Sequence, residues 1–308
     1  MVFTAENLYK SFGEKQVLQG VSFRAEGGRA LGLLGRNGAG KTTTIRIIMG
    51  VFPPDGGTVE LDGSPIRRGR VNFGYLPEEH GLYLKKPIGE QLVYLGRLRG
   101  MTGAQARASV RKWLGRLDMA RYETQRLDTL SKGNQQKIQL AAALVTDPDF
   151  VILDEPFSGL DPVNAMVLKD VIRELIAAGK LVLFSSHQMN YVEEFCDSIV
   201  ILNGGRIVLG GSLREIRRSY DRRTLRVTPS AARPQEAGAL AAFCRDRLGD
   251  LTAGADTAGG DVRIHMRSAD AKAAVMAALA GESFDLDSVR VEEPSLNDIF
   301  VQYTEGAV

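Results

Sequence analysis

Gly35-Arg36-Asn37-Gly38-Ala39-Gly40-Lys41-Thr42 is the stretch around which the rest of the chain has to be arranged. It fits G-x-x-x-x-G-K-[ST], directly after an apolar run ending at Leu34 and directly before a helical run over 42–49. Glycine at 35, 38 and 40 lets backbone N–H groups wrap an anion at a distance that a Cβ would deny. The helix that follows aims its positive end at the same anion. The combination predicts a triphosphate cradle in which Gly35, Arg36, Asn37, Gly38, Ala39, Gly40, Lys41, Thr42 and Thr43 bind ATP. Lys41 reaches the β and γ oxygens, and the Thr42 hydroxyl ligates Mg²⁺. Gly50 stands where that helix should end in a C-terminal cap.

Two more elements belong to the same chemistry. Phe150-Val151-Ile152-Leu153 runs straight into Asp154-Glu155, and two acids at a buried strand end are costly unless they meet cations. Asp154 is expected beside Mg²⁺, and Glu155 beside the water that attacks the γ-phosphate; a helix N-terminal acid pair after a core strand is the plainer alternative. Ser185-Ser186-His187 follows another apolar run, 181–184, and places an imidazole where it can touch the γ-phosphate or orient that water. In open α/β sheets the ligand crevice lies beyond the carboxyl ends of the strands, so one crevice can collect all three elements. Lys41, Glu155 and His187 form the expected catalytic set. His80 and His265 have no such placement and read as ordinary surface or packing residues.

Working outward, short apolar runs alternate with longer helical patterns as far as Leu209, the mark of a mainly parallel α/β sheet. Runs 30–34, 150–153, 181–184 and 198–202 are apolar throughout, as strands covered on both faces should be. Runs 17–24 and 58–61 alternate and look antiparallel or edge-like, so the sheet is expected to be mixed. Helices are expected over 88–99, 104–117 and 134–145, a helical subdomain at about 87–146, and Asn203-Gly204-Gly205 is a hairpin turn. The charged stretch near 214–223 precedes a shift to Ala, Gly and Arg, which places a boundary near 220. An ATPase domain over 1–220 and an accessory domain over 221–308 follow. In the latter, 224–228, 262–266 and 288–291 read as strands and 234–248 and 269–280 as helices, with a last helix begun by Pro294-Ser295 and capped by Ser295.

With 39 basic and 37 acidic side chains the chain carries a formal charge of +2, which gives no broad footprint for nucleic acid or an anionic membrane. Two cysteines, Cys196 and Cys244, are too few for a disulfide scaffold and fit a reducing cytoplasm. No run of 18 apolar residues is present, so any membrane part is expected from another chain.

Many nucleotide hydrolases share a phosphate loop and two acids. The distinguishing stretch is Leu130-Ser131-Lys132-Gly133-Asn134-Gln135-Gln136-Lys137, which resembles the L-S-G-G-Q signature of ABC ATPases. Ser158-Gly159-Leu160-Asp161 resembles that family's D-loop and His187 its switch histidine. Phe12, in Ser11-Phe12-Gly13, resembles its adenine-stacking aromatic, although Phe12 also reads as a plain core residue.

The resemblance implies a P-loop NTPase domain of the ABC type, with a mixed sheet core, an antiparallel edge and a helical insertion, followed by a small α/β C-terminal domain. It implies ATP and Mg²⁺, and a head-to-tail homodimer or heterodimer with a second ABC ATPase. In that dimer Ser131, Lys132, Gly133, Asn134 and Gln135 act in trans, beside the D-loop residues Ser158 and Asp161. Lys132 and Asn134 depart from the usual glycine and glutamine, and Glu78, in Tyr75-Leu76-Pro77-Glu78-Glu79, replaces the usual Q-loop glutamine. A carboxylate there can still serve Mg²⁺, so Thr42, Asp154 and Glu78 are the expected metal set. These variants and the ending Glu293-Pro294-Ser295-Leu296-Asn297-Asp298-Ile299-Phe300 resemble the sodium-efflux and multidrug-efflux branch of bacterial ABC exporters. The implied role is to energise export of an ion, drug or other small molecule through a separate integral membrane permease. The subunit would sit peripherally on the cytoplasmic face of the cell membrane, with no nucleic-acid partner. The competing reading, a soluble ABC ATPase clamping nucleic acid or the ribosome, usually brings a second ATPase unit or a long coiled coil, and this chain has neither. The role of 221–308 as sensor, brace or appendage is left open.

Overall fold

The computed structural model describes residues 1–66, 71–79, 81–220, 223–233 and 235–305 of the 308. The strands β1 (Val2–Phe12) and β2 (Lys15–Glu26) form an antiparallel hairpin, followed by β3 (Ala30–Gly35) and α1 (Lys41–Ile48). Next, β4 (Gly56–Leu61) pairs antiparallel with β1, Phe3 opposite Leu61, and a short β5 (Ser64–Pro65) completes a four-stranded sheet ordered β2-β1-β4-β5. The chain then enters a second sheet through β6 (Phe73–Leu76) and leaves it for the helices α2 (Ile88–Leu98), α3 (Gly103–Arg116) and α4 (Lys132–Leu144). It returns through β7 (Phe150–Asp154), α5 (Pro162–Ala177), β8 (Leu181–Ser185), α6 (Met189–Phe195), β9 (Ser198–Asn203) and β10 (Arg206–Ser212). That six-stranded sheet has the order β10-β9-β3-β8-β7-β6 and is parallel except at β10.

The sequence pattern explains the two sheets. Every residue of β3, β7 and β8 is buried, because α1 and the other sheet cover one face and α5 and α6 the other. Gly204 and Gly205 both adopt positive φ, 54° and 77°, giving the two-residue turn that joins β9 to β10 with Asn203 opposite Arg206. Between the sheets Phe3 and Phe150 meet at 5.4 Å and Phe73 and Phe150 at 5.1 Å, packed with Ile45, Ile47 and Ile48 of α1. Each such side chain contributes about 1.5–3 kcal/mol when fully buried, so α1 and the loop before it stand on a rigid base.

The chain divides into two compact units: Met1–Leu213 joined by a returning last helix, and Arg214–Ser295. The division falls inside α7 (Leu213–Ser219), earlier than the boundary expected near 220. The second unit contains β11 (Thr224–Pro229), α8 (Glu236–Arg247), β12 (Thr252–Ala258), β13 (Asp261–Met266), α9 (Lys272–Ala280) and β14 (Leu286–Val291). Its antiparallel order β12-β13-β11-β14, with connectivity βαββαβ, is ferredoxin-like. A core of its own unites Leu225, Val227, Val262 and Ile264 of the sheet with Leu240 and Val275 of the helices.

One boundary differs in kind. The final helix, α10 (Leu296–Glu305), was expected to close the accessory domain; it belongs to the first unit and packs on α6 and β9. Leu296 and Ile299 are fully buried, three residues apart on one helical face, and it is that face which chooses the partner. The other adjustments are local. Helix α4 begins at Lys132, two residues earlier than expected, because Ser131 caps it. The helix expected from 234 begins at Glu236, Pro234 and His80 lying outside the described residues. Helix α9 is preceded by a single 3₁₀ turn, Ala269–Ala271.

Candidate functional site

The strand order puts the ends of β3, β8 and β7 side by side, with Asp154 in register with Ser185. Everything that follows those strands therefore meets at one edge of the sheet. There a cavity of about 890 Å³ is lined by Gly35, Arg36, Asn37, Gly38, Gly40, Lys41, Thr42 and Thr43, and by Glu78, Asp154, Glu155 and His187. Ala39 lies buried behind the loop and is not part of the lining.

Gly40 starts α1 with φ 109°, and a Cβ there would stand 2.6 Å from Leu18 Cδ2, so only glycine lets the loop close over β2. At the other end Gly50, φ 68°, donates to Ile47 O while Val51 donates to Arg46 O, a C-terminal cap in the left-handed conformation. Lys41 Nζ donates to Gly35 O at 2.6 Å and to Arg36 O at 3.2 Å. Burial lowers the Lys41 pKa, opposed in turn by the negative charges of Glu155, Asp154 and Glu78. Asp154 is pushed the other way: burial raises its pKa, and the carboxylates of Glu78 and Glu155 raise it further against the pull of Lys41.

Glu155 is a non-glycine residue with φ 50°, a strained backbone held by its N–H donating to Ser185 O at 2.9 Å. Its carboxylate is buried and bonded on both oxygens. Oε1 accepts from His187 N at 2.8 Å and lies 2.9 Å from His187 Nδ1; Oε2 accepts from Ser186 Oγ at 3.1 Å. The His187 ring itself is largely exposed and belongs to the cavity lining. Acid, hydroxyl and imidazole thus form one unit whose outer end is in reach of a ligand.

Among the described residues no three or more His, Cys, Asp or Glu side chains are grouped to hold a metal ion by themselves. Thr42, Asp154 and Glu78 line the same cavity, and a divalent ion carried in on a polyphosphate would find its remaining oxygen ligands there. His265 belongs to the ferredoxin-like unit, where it is paired with Asp256 at 2.7 Å.

The signature segment has its own architecture. Ser131 Oγ accepts from Asn134 N at 3.4 Å and caps α4, so Lys132, Gly133 and Asn134 form the helix's first turn. Gln135 turns back into the loop, donating to Leu130 O at 3.0 Å and Leu127 O at 3.2 Å. A Cβ on Gly133 would lie 2.6 Å from Asn164 Nδ2, which ties the signature to the D-loop. Asp161 caps α5 by accepting from Asn164 N at 3.0 Å, and the exposed Ser158 precedes it with its N–H donating to Glu155 O. Neither segment lines the cavity, and both lie on the surface.

Phe12, like Ala39, is an expected ATP-binding residue that the cavity does not include. It is 50% exposed, edge-on to Phe52 at 5.5 Å, with Lys10 Nζ 5.7 Å from its ring. The phenyl ring in the lining is that of Phe300.

A sequence profile described as ABC transporter matches residues 18–158. The ABC transporter ATP-binding protein YhaQ of Bacillus subtilis (strain 168) is 39% identical over all of this chain and 99% of its own length. The chain belongs to the ABC transporter ATP-binding proteins. Within this ABC subunit a second profile, described as the C-terminal domain of ATP-binding protein DrrA1-3-like, matches residues 211–304. Further relatives carry functional names. Nod factor export ATP-binding protein I of Paraburkholderia xenovorans (strain LB400) is 41% identical over 67% of this chain and 69% of its own. Linearmycin resistance ATP-binding protein LnrL of Bacillus subtilis (strain 168) is 29% identical over 97% of each. A solved structure of an ATP binding subunit of an ABC transporter superposes with a TM-score of 0.65 at 32% identity, over 71% of this chain and 92% of its own.

Four residues of the ABC subunit's site escape a motif search. Tyr75 Oη lies 3.5 Å from Asp154 Oδ2, its pKa raised to about 12 by burial and by the Asp154 charge. Gln136 donates to Pro156 O at 3.1 Å and joins α4 to the segment after Glu155. Ser186 was visible beside His187 but only the structure turns it toward Glu155. Phe300 lies 258 positions beyond Thr42 in the sequence, and nothing local signals that it returns.

Proposed function

We propose that this ABC subunit binds Mg-ATP in the 890 Å³ cavity and hydrolyses it with its own Glu155, as one half of a head-to-tail dimer that drives export through a separate integral membrane protein. The observation that carries the reading is the single cavity shared by the phosphate loop, Asp154, Glu155 and His187.

The geometry supports a role for each residue. Backbone N–H groups of Gly35 to Thr43 and the start of α1 face the phosphates, and Lys41 exchanges its two carbonyl acceptors for phosphate oxygens. Thr42, Asp154 and Glu78 are the residues to hold Mg²⁺, because a buried acid crowded by two others has negative charge to spare. When bound there the ion neutralises charge on the phosphate oxygens. Glu155 keeps its carboxylate fixed between Ser186 and His187 and accepts a proton from the attacking water; His187 orients that water and the γ-phosphate. The Ser131 hydroxyl and the first turn of α4 offer donors to the γ-phosphate held by the facing copy.

Export is supported by the relative named for Nod factor export. No described helix is long and apolar enough to cross a membrane, so the translocation path is assigned to another chain. Its docking face is the surface around 78–99, where Tyr83 is 73% and Leu98 69% exposed beside Leu84 and Tyr94. Exposed large apolar groups so close along the sequence fit an interaction surface. The subunit would then work peripherally at the cytoplasmic face of the membrane.

Glu155→Gln tests the reading. The variant should retain ATP binding, lose roughly 10²–10⁴ in turnover, and elute as a nucleotide-bound dimer in size-exclusion chromatography with light scattering. Hydrolysis at the wild-type rate would remove Glu155 from its role.

A further inference from the structure

The mechanism above leaves one sequence motif unused, the stretch ending in Phe300. Helix α10 is fastened to the first unit at both ends. At its start Leu296 N donates to Glu193 Oε1 at 2.8 Å, on α6, the helix that follows His187. Toward its end Tyr303 O accepts from Asn203 Nδ2 at 3.2 Å, and Glu305 lies 3.5 Å from Arg36 of the phosphate loop. The helix therefore spans from the element after His187 to the second residue of the phosphate loop. Leu296 and Ile299 sit on its buried face, and Phe300, half-buried, reaches the cavity lining together with Lys15, Val17, Arg36 and His187.

We propose that Phe300 is a nucleotide-contacting residue and that α10 is a wall of the ATP pocket, so that nucleotide occupancy and docking of α10 stabilise each other. The proposal rests on the ATP-site reading above and adds a residue to it. An aromatic ring in a glycine-rich cavity lined by charged side chains supplies contact area and excludes water from the phosphates, which strengthens every charge interaction inside. Whatever binds the docked state better must also favour docking, by linkage.

The test uses the full chain. Isothermal titration with Mg-ADP compares wild type, Phe300→Ala, Phe300→Tyr, Val301→Ala and Lys41→Ala, and hydrogen exchange of 296–305 is followed with and without Mg-ADP. Phe300→Ala should raise Kd about threefold to tenfold, Phe300→Tyr and the surface control Val301→Ala less than twofold, and wild-type exchange in 296–305 should slow on binding. Circular dichroism checks folding; if Phe300→Ala fails it, Phe300→Leu and the wild-type exchange decide. Tight wild-type binding with an unchanged Phe300 variant and unchanged exchange overturns this proposal alone. Wild type that binds nothing, or Lys41→Ala that binds as well as wild type, overturns the ATP-site reading first and this proposal with it.

Discussion

Asp154 is a buried carboxyl with two more acids for neighbours, and its ionised form is a cost to the folded chain. A carboxyl whose folded pKa is raised contributes stability that is present below its unfolded pKa of 3.8 and lost as pH rises through the folded value. At neutral pH, Asp154→Asn should therefore raise the melting temperature of the nucleotide-free protein while abolishing turnover, a stability–activity trade at one atom pair. Calorimetry beside an ATPase assay checks it; a lower melting temperature would show the charge to be compensated. The two thiols make a second expectation. Burial pushes the Cys244 pKa up to about 11 and that of Cys196 higher still, so neither should react with an aromatic disulfide at pH 7.5 until the protein unfolds, when two thiols should titrate. At this scale the juxtaposition was legible in the sequence: Lys41, Asp154, Glu155 and His187, expected at one crevice, all line one cavity. It was not legible for Phe12 and Phe300, because which ring lines a pocket is decided by long-range packing and not by neighbours along the chain.

Helix α4 carries two demands on one residue, since Ser131 is both its N-cap and the expected donor to a neighbouring copy's phosphate. The demands can be separated. Ser131→Ala removes the cap and should cost about 1 kcal/mol along with turnover, whereas Ser131→Asp keeps the cap and sets a negative charge against phosphate. Urea melts should place the aspartate variant within a few tenths of wild type while its ATPase rate falls as far as that of the alanine variant; equal activity in both would limit Ser131 to capping. Elements read well where pattern and burial coincide, as in β3, β7 and β8, which are apolar and buried throughout. Strand β12, Thr252–Ala258, was not expected, because Thr-Ala-Gly-Ala-Asp-Thr-Ala offers no β-branched or aromatic alternation; its pairing with β13 makes it a strand.

The molecule as a whole forms two compact units, and the last helix returns to the first of them. Ending the protein after Ser295 would spare the ferredoxin-like unit and strip Leu296 and Ile299 from the first. With about 1.5–3 kcal/mol for each buried aliphatic side chain, that truncation should lower the melting temperature of the nucleotide-binding unit and weaken nucleotide binding. Proteolysis with and without Mg-ADP would report it.

The path of the chain through α7 and back through α10 places residues 214–295 between two stretches of the first unit. On the ribosome that stretch is synthesised before α10, so the surface of α6 and β9 stays bare until translation has passed Ser295. A copy arrested within 214–295 lacks the helix that covers that surface once 296–305 have been made.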